Sequence, residues 1–167
     1  MRVQLLLLVG FMFAGQVCAQ QALVRWAYGP FGTPGDAAFV VQKDRIHQAS
    51  GAFGTMGPCV WVMRDDQVHH SADAFGRPGA AAYFAQENAL VRCSGFNCQR
   101  GSCALVLEGN KVFRADGTFC NKAEGAFVLE ENVVYLGEGA FATKGEAILI
   151  IEGDLPMLAL LTILAGL

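Results

Sequence analysis

A 22-residue repeat runs through most of the chain and constrains its fold more than any other feature. The segments ALVLEGNKVFRADGTFC (104–120) and AFVLEENVVYLGEGAFA (126–142) agree at eight of seventeen places and begin 22 residues apart. A further copy starts at Gly145, and 22–34 matches the second half of the unit. Six repeats follow one another without insertion: 35–56, 57–78, 79–100, 101–122, 123–144 and 145–166. A fixed period of this size indicates one small structural unit that is copied and stacked.

Four positions of the repeat, counted from its first residue, keep the same chemistry. Position 1 is Gly in five of six repeats, and position 5 is large and apolar. Position 10 is always Asp or Asn, and we expect its asparagines to form a ladder at a turn: Asn88, Asn110 and Asn132. Position 19 is mostly Phe, and we expect its rings to stack inside the protein: Phe53, Phe75, Phe119 and Phe141.

Short apolar runs alternate with turn residues inside each repeat. Positions 3 to 8, such as CVWVMR (59–64), are rich in β-branched and aromatic residues, as strands are. Three brief strands and three turns per repeat predict an all-β fold in which each repeat forms one coil of a parallel β-helix (β-solenoid) of about six to seven coils. Equivalent side chains would then lie about 4.8 Å apart on stacked coils. One coil buries its apolar face only against its neighbours.

On this period and these columns the chain resembles right-handed parallel β-helix proteins, the architecture of pectate lyases and of many adhesins and surface proteins. The resemblance covers 22–167 and carries no catalytic signature. It implies a tight turn with stacked asparagines and internal aromatic stacks. A two-strand β-solenoid and a hairpin meander are the alternative folds. The chain lacks the Gln- and Asn-rich repeat of curlin, and it lacks the Tyr-x-Gly-x-Trp motif of MORN hairpin repeats. The helical propensity of AAAYFAQENALVR (80–92) is expected to yield to the repeat.

Residues 1–19 are predicted to be a secretory signal peptide, because Arg2 precedes an apolar run and small residues surround a cut after Ala19. A lipoprotein cut before Cys18 is the alternative. Residues 20–154 then form the repeat domain. Without Arg2 the chain has 11 basic and 15 acidic residues, a formal charge of −4. This balance argues against nucleic acid or an anionic membrane as a partner, since both need basic patches. The predicted location is secreted or at the cell surface, periplasmic or extracellular.

Five cysteines follow the predicted leader, and export makes disulfides permissible. Cys98 and Cys120 share position 20 in neighbouring repeats, and a separation near 4.8 Å falls within the range of disulfide Cα distances. We therefore predict a bond between these two, with a stack of buried free thiols as the alternative. The pairing of Cys59, Cys93 and Cys103 stays open.

His47 and His69 share position 13 in adjacent repeats, where two imidazoles could hold a zinc or copper ion between them. No third ligand with suitable spacing is evident, so the alternative is a pair of solvated side chains. Glu108, Glu130 and Glu152 form a similar column at position 8. Paired carboxylates suit glycoside hydrolysis, but a repeat without inserted loops builds no cleft. No catalytic residue and no cofactor is predicted.

The segment 155–167 is apolar at positions that are polar in earlier repeats. We predict a last coil, cap or anchor there, with an exposed apolar edge through which copies self-associate or attach to a membrane. A GPI-anchor signal is a further alternative. Together these features predict an exported, non-enzymatic structural or adhesive surface module with a glycan or protein ligand. The alternatives are a small polysaccharide-active β-helix enzyme and a membrane- or GPI-anchored surface protein.

Overall fold

The protein is seen in a computed structural model, which describes residues 21–95 and 97–167. The predicted leader 1–19 lies outside the described residues. Twelve antiparallel strands follow one another round a closed barrel, and one helix, α1 (Met157–Ala165), follows them. The strands are β1 (Gln21–Tyr28), β2 (Thr33–Gln42), β3 (Arg45–Ser50), β4 (Thr55–Arg64), β5 (Gln67–Ser71), β6 (Pro78–Gln86), β7 (Ala89–Ser94), β8 (Gln99–Glu108), β9 (Lys111–Asp116), β10 (Asn121–Glu130), β11 (Val133–Glu138) and β12 (Thr143–Glu152).

The all-β prediction is confirmed, but the parallel β-helix is wrong. Each repeat contributes one long and one short strand, which pair with each other as an antiparallel hairpin, for example Gln42 opposite Arg45. The reason lies at positions 9 and 10. Two residues are enough to reverse a chain between antiparallel neighbours, whereas parallel neighbours need a much longer crossover. The hairpin meander is therefore the alternative that describes this ring. Residues 80–92 form two strands, as the repeat predicted.

Position 9, and not the Asp or Asn after it, takes the left-handed backbone conformation of the tight turn. Its φ is 56° at Lys43 and 52° at Asp65, Glu87 and Glu131. The residue at position 10 instead connects the turn to the next repeat, since its carbonyl accepts a hydrogen bond from the N–H at position 7 there. This bond recurs five times: Asp44 to Met63, Asp66 to Ala85, Asn88 to Leu107, Asn110 to Leu129 and Asn132 to Ile151.

The predicted asparagine ladder is replaced by contacts with the backbone. The Nδ2 atoms of Asn88 and Asn110 donate to the carbonyls of Leu107 and Leu129, at 2.8 and 3.1 Å. At these turns both the backbone and the side chain of the asparagine therefore bind one residue of the next repeat. For Asn132 the contact is the backbone bond to Ile151 at 2.8 Å. Equivalent turns bond to the neighbouring strand, and not to one another.

The ring closes because the sixth hairpin is made of two strands from opposite ends of the repeat region. Strand β12 pairs with β1, with Leu23 opposite Glu152. These residues occupy positions 11 and 8, the same register that joins Arg45 to Gln42 inside a hairpin. The segment 145–152 thus supplies the long strand of the sixth hairpin and 21–28 supplies its short strand. The ring has no open strand edge in the described part of the chain.

The segment after β12 is a helix that fills the ring, not a further coil. A helix that is apolar all round is a buried helix, and most of α1 is buried: Ala159, Leu160, Leu161, Thr162, Ile163 and Leu164. It shares one cluster with inward-facing side chains such as Val24, Val68, Leu90, Leu105 and Leu149. About eight strands make a barrel that side chains alone fill, so twelve leave room for a helix. The exposed apolar edge predicted for 155–167 is therefore not found among the described residues, and self-association through this segment stays a prediction without that basis.

Beyond position 13, each repeat forms an arm that bends away from the ring and ends in the loop at positions 17–20. The register shifts on both sides of position 13 in every pairing between repeats, for example around His47 and Val91. Such bulges bend a strand and increase its twist. The loop at positions 17–20 then folds back over the outer face of the preceding repeat. Arg25 donates to the carbonyl of Ala52 at 2.8 Å, and Lys111 donates to that of Phe141 at 2.7 Å. These loops position the candidate site.

Candidate functional site

Five phenylalanines stand almost fully in solvent at the same place in five repeats. Their side chains occupy position 19, at the apex of the folded-back loops, and we call them the phenylalanine belt. The exposed fractions are 94% for Phe31, 98% for Phe53, 84% for Phe75, 88% for Phe119 and 81% for Phe141. The predicted internal stack of Phe53, Phe75, Phe119 and Phe141 is therefore wrong.

The backbone of the loop explains why these rings point outward. Positions 17 and 20 flank the phenylalanine, and position 20 has a positive φ in all six loops, for example 67° at Gly54 and 47° at Ala142. In five of these loops the N–H at position 20 donates to the carbonyl at position 17, as Gly54 does to Gly51 at 3.2 Å. This turn places positions 18 and 19 at its tip, away from the sheet. The signal in the sequence was the pattern G-x-F-G, which is typical of a turn and not of a strand.

The loop that carries Phe75, in the second repeat, has the same shape but has an aspartate, Asp73, in place of the glycine at position 17. Oδ1 of Asp73 accepts hydrogen bonds from the N–H groups of Phe75 and Arg77, each at 3.0 Å. Arg77 also places its Nε atom 3.2 Å from Oδ2 of the same carboxylate. The N–H of Arg77 is the main reason why the pKa of Asp73 lies below its ordinary value. The Phe75 loop is thus held by a carboxylate that stays ionised.

The belt residues are equivalent by the approximate six-fold symmetry of the ring. The repeats share one register, so equivalent apices lie at the same height along the axis of the ring. Neighbouring repeats are two strands apart, which is about 10 Å at the sheet. In the third repeat position 19 is Asn97, and the neighbouring Phe96 lies outside the described residues. The belt is therefore a row of separate apolar points, and not a groove.

The acidic column at position 8 is paired with cations. Lys122 lies 2.7 Å from a carboxylate oxygen of Glu108, and Arg25 lies 2.7 Å from one of Glu152. Glu130 pairs with Lys144, and this hydrogen bond raises the pKa of Lys144. The Nζ atom of Lys144 also lies 3.9 Å from the centre of the Tyr135 ring. Because each carboxylate has its own partner, the column connects strands and does not form the close carboxylate pair of a glycosidase.

The two histidines predicted as metal ligands each contact the backbone at a bulge. Nδ1 of His47 donates to the carbonyl of Gly57 at 3.1 Å, and Nδ1 of His69 donates to that of Gly79 at 3.1 Å. A carbonyl oxygen only accepts, so Nδ1 carries the proton in both rings. Among the described residues no three potential ligands come together in a group that could hold a metal ion. In the structure, these two histidines therefore bind a backbone carbonyl at the bulge.

The predicted bond between Cys98 and Cys120 is replaced by two others. Cys98 is bonded to Cys93 with a Cα separation of 4.4 Å, and Cys120 is bonded to Cys103 with one of 5.0 Å. Equivalent positions of neighbouring repeats are separated by a whole hairpin, so two residues at position 20 do not meet as they would in stacked coils. Each cysteine pairs within its own repeat. Cys59 is buried and free. Two disulfides are typical of proteins from an oxidising compartment.

No protein-family model, curated protein or solved structure matches the chain. In the described ranges, no helix is both long enough and apolar enough to cross a membrane. The candidate site therefore rests on the geometry of this chain alone.

Proposed function

We propose that this protein is an exported, non-enzymatic surface module that adheres to a zwitterionic lipid surface through the phenylalanine belt. One observation carries the proposal: phenylalanine is exposed at position 19 in five loops, although the other residues of these loops differ. Transfer of one phenylalanine side chain from water to an apolar environment is worth roughly 1.5–3 kcal/mol. A role in contact would explain why the same residue type is exposed at the same position in five loops.

The arrangement of the belt favours a fluid partner. Neighbouring repeats are about 10 Å apart at the sheet and their apices lie outside it, so each phenylalanine is free to enter a lipid interface separately. A folded protein partner would need a matching set of separate pockets. A lipid surface needs none, because its molecules move aside for each side chain.

The charge of the protein indicates which lipid is suitable. The side chains beside the belt are of mixed charge: Asp44, Asp73, Arg45, Arg64 and Arg77 border the same surface depression as Phe75, and Glu87 and Arg100 border the same one as Phe119. Because these local charges offset one another while the net charge of the chain is negative, an anionic surface is disfavoured. A phosphatidylcholine surface, which carries no net charge, suits this balance. We therefore expect attachment through the belt, while the apolar residues of α1 stay inside the ring.

The test is flotation with phosphatidylcholine vesicles and with vesicles that contain phosphatidylserine. The protein should float with the former and bind less to the latter. The triple variant Phe53→Ser, Phe75→Ser and Phe141→Ser should bind at least tenfold more weakly, since each ring contributes on the order of 1 kcal/mol or more. The control is Leu136→Ser, a partly exposed apolar residue outside the belt, which should bind as the unmodified protein does.

Two results would contradict this proposal. The first is equal flotation of the triple variant and the control. The second is a dimer in analytical ultracentrifugation that the triple variant abolishes, without any lipid binding. That second result would make the belt an interface between copies of the chain.

A further inference from the structure

The second repeat lacks a polar pair that the three following repeats share. In those repeats the side chain at position 8 accepts a hydrogen bond from a cation at position 22. The pairs are Gln86 with Arg100, Glu108 with Lys122 and Glu130 with Lys144. In the second repeat position 8 is Arg64, a donor, and position 22 is Pro78. Arg64 therefore cannot form this pair, and it has no ion pair with any described residue.

Arg45 of the first repeat lies beside Arg64. It stands opposite Val62 in the register between β3 and β4, and Arg64 follows two residues later, on the same face as Val62. Diagonal neighbours of this kind lie about 7–8 Å apart, within reach of long side chains. The loop of Phe75 crosses Arg45, since a Cβ built at Gly76 would lie 2.8 Å from its Cδ and Nε atoms. Arg45 also has no ion pair among the described residues.

A cleft of about 320 Å³ opens beside these two arginines and Phe75, and we call it the arginine cleft. Its charged lining residues are Asp44, Arg45, Arg64, Asp73 and Arg77. Arg77 and Asp73 neutralise each other, with Nε and Oδ2 3.2 Å apart. The two other arginines and Asp44 together leave one positive charge. A ligand with one negative charge would balance the cleft.

The equivalent place beside Phe141 shows how other repeats use these two positions. Lys111 stands there where the first repeat has Arg45, and it donates to the carbonyl of Phe141 at 2.7 Å. Glu130 stands where the second repeat has Arg64, and it pairs with Lys144. The protein itself thus satisfies both positions beside Phe141. Beside Phe75 it does so for neither, so an external anion can take up the contacts.

Two guanidinium groups from different strands suit a phosphate better than a carboxylate. Each guanidinium presents a planar fork of N–H donors. One fork satisfies both oxygens of a carboxylate, whereas the oxygens of a phosphate point in several directions and can accept from two forks. A phosphodiester carries one negative charge, which is the charge that the cleft requires.

We propose that the arginine cleft binds the phosphodiester group of a phospholipid headgroup. The phosphate oxygens accept from Arg45 and Arg64, while Phe75 at the same cleft enters the lipid. An apolar side chain at the boundary between headgroups and acyl chains places the adjoining surface at the level of the headgroups. The inference rests on the proposed function, because it names the headgroup contact that accompanies one residue of the belt.

The experiment is titration of the ¹⁵N-labelled protein with glycerophosphocholine, a soluble phosphodiester, and with choline, which lacks the phosphate. We expect glycerophosphocholine to shift the amide signals of Arg45, Arg64 and Gly76 in a saturable manner, while those of the equivalent Lys111 and Glu130 stay unchanged. Choline should shift none of them. No saturable shift with glycerophosphocholine, or equal shifts with choline, would overturn the proposal.

Two variants and a control test the role of the unpaired arginine. Arg64→Gln should weaken glycerophosphocholine binding at least fivefold. Arg64→Glu combined with Pro78→Lys gives the second repeat the pair that the fifth repeat has, and it should abolish this binding. Arg114→Gln makes the same change of charge as Arg64→Gln at an exposed residue outside the cleft, and it should bind as the unmodified protein does. Unchanged affinity in Arg64→Gln would contradict the proposal.

Flotation with phosphatidylcholine vesicles identifies the source of the phosphate and separates this inference from the proposed function. Arg64→Gln should float less than Arg114→Gln. Equal flotation of the two would mean that a soluble ester supplies the group, and it would overturn the lipid source. Phe53→Ser with Phe141→Ser leaves the cleft intact, so this variant should float less but bind glycerophosphocholine as before. Flotation of a protein that does not bind glycerophosphocholine would leave the belt proposal standing and overturn this one.

Discussion

Cys59 and Gly76 occupy, in the second repeat, the two positions that Cys103 and Cys120 join in the fourth. Cys59 is buried, and this burial raises the pKa of its thiol. A Cβ built at Gly76 lies 3.2 Å from Sγ of Cys59, close to the distance that a disulfide requires. The same Cβ lies 2.8 Å from Cδ and Nε of Arg45, a long side chain that can move. The positive φ there, 85°, is of the kind that Cys120 already adopts at 55°.

At the residue scale we therefore predict that Gly76→Cys forms a third disulfide with Cys59. Unreduced peptide mapping should recover the two residues linked. The bond closes a short loop and should raise the free energy of unfolding by about 2–3 kcal/mol, less the cost of moving Arg45. Gly54→Cys is the control, since position 3 of its repeat is Ala37. Recovery of both thiols free in Gly76→Cys would show that the repeats are not equivalent in the way described.

At the scale of the element, the asparagine of the tight turn stabilises the contact between successive hairpins. Asn110 contacts Leu129 through its backbone carbonyl, at 2.8 Å, and through its side chain, at 3.1 Å. Asn110→Ala removes the side-chain bond and should lower the free energy of unfolding by about 0.5–1.5 kcal/mol. Thermal unfolding compared with Asn121→Ala, an exposed asparagine at the start of β10, measures this. An equal loss in the two variants would contradict a specific role for position 10.

The strands could be predicted from the sequence, but their pairing could not. Runs such as CVWVMR (59–64) identify β-strands in parallel and antiparallel sheets alike, because their β-branched and aromatic residues suit a pleated, half-buried surface. A period of 22 residues fits one coil of a solenoid as well as one hairpin, and the choice depends on backbone conformation at Lys43 and Gly54. The large apolar side chains at position 5 pack in or against the core of the ring. Phe53 at position 19 is outside because Gly51 and Gly54, one on either side of it, have left-handed backbone conformations.

At the scale of the whole molecule, α1 and the ring depend on each other. The closed ring has a lumen too wide for its own side chains, and α1 is too apolar to remain in water. This coupling could not be read from 155–167 alone, where an apolar tail fits a cap, an anchor or a lumen helix equally well. Removal of 155–167 should therefore destabilise the whole ring, because it empties the lumen.

Leu164 and Leu167 provide a matched test of the filled lumen. Leu164 is 1% exposed and Leu167 is 46% exposed. Leu164→Ala should lower the free energy of unfolding by about 2–5 kcal/mol, the range for a buried leucine, because it opens a cavity. Leu167→Ala should change it by about 0.5 kcal/mol or less. Denaturant unfolding of both variants decides the matter, and similar stability of the two would mean that α1 does not fill the ring.

The pairing of β1 with β12 closes the ring of antiparallel hairpins. Nuclear Overhauser effects between backbone protons of the ¹³C,¹⁵N-labelled protein can show whether this closure exists. The structure predicts contacts across the closing pair, between Val24 and Ile151, and across hairpins, with Phe127 opposite Leu136. Stacked parallel coils would instead bring Leu105 next to Phe127, 22 residues further on. Contacts of that second kind, without any between β1 and β12, would contradict the ring.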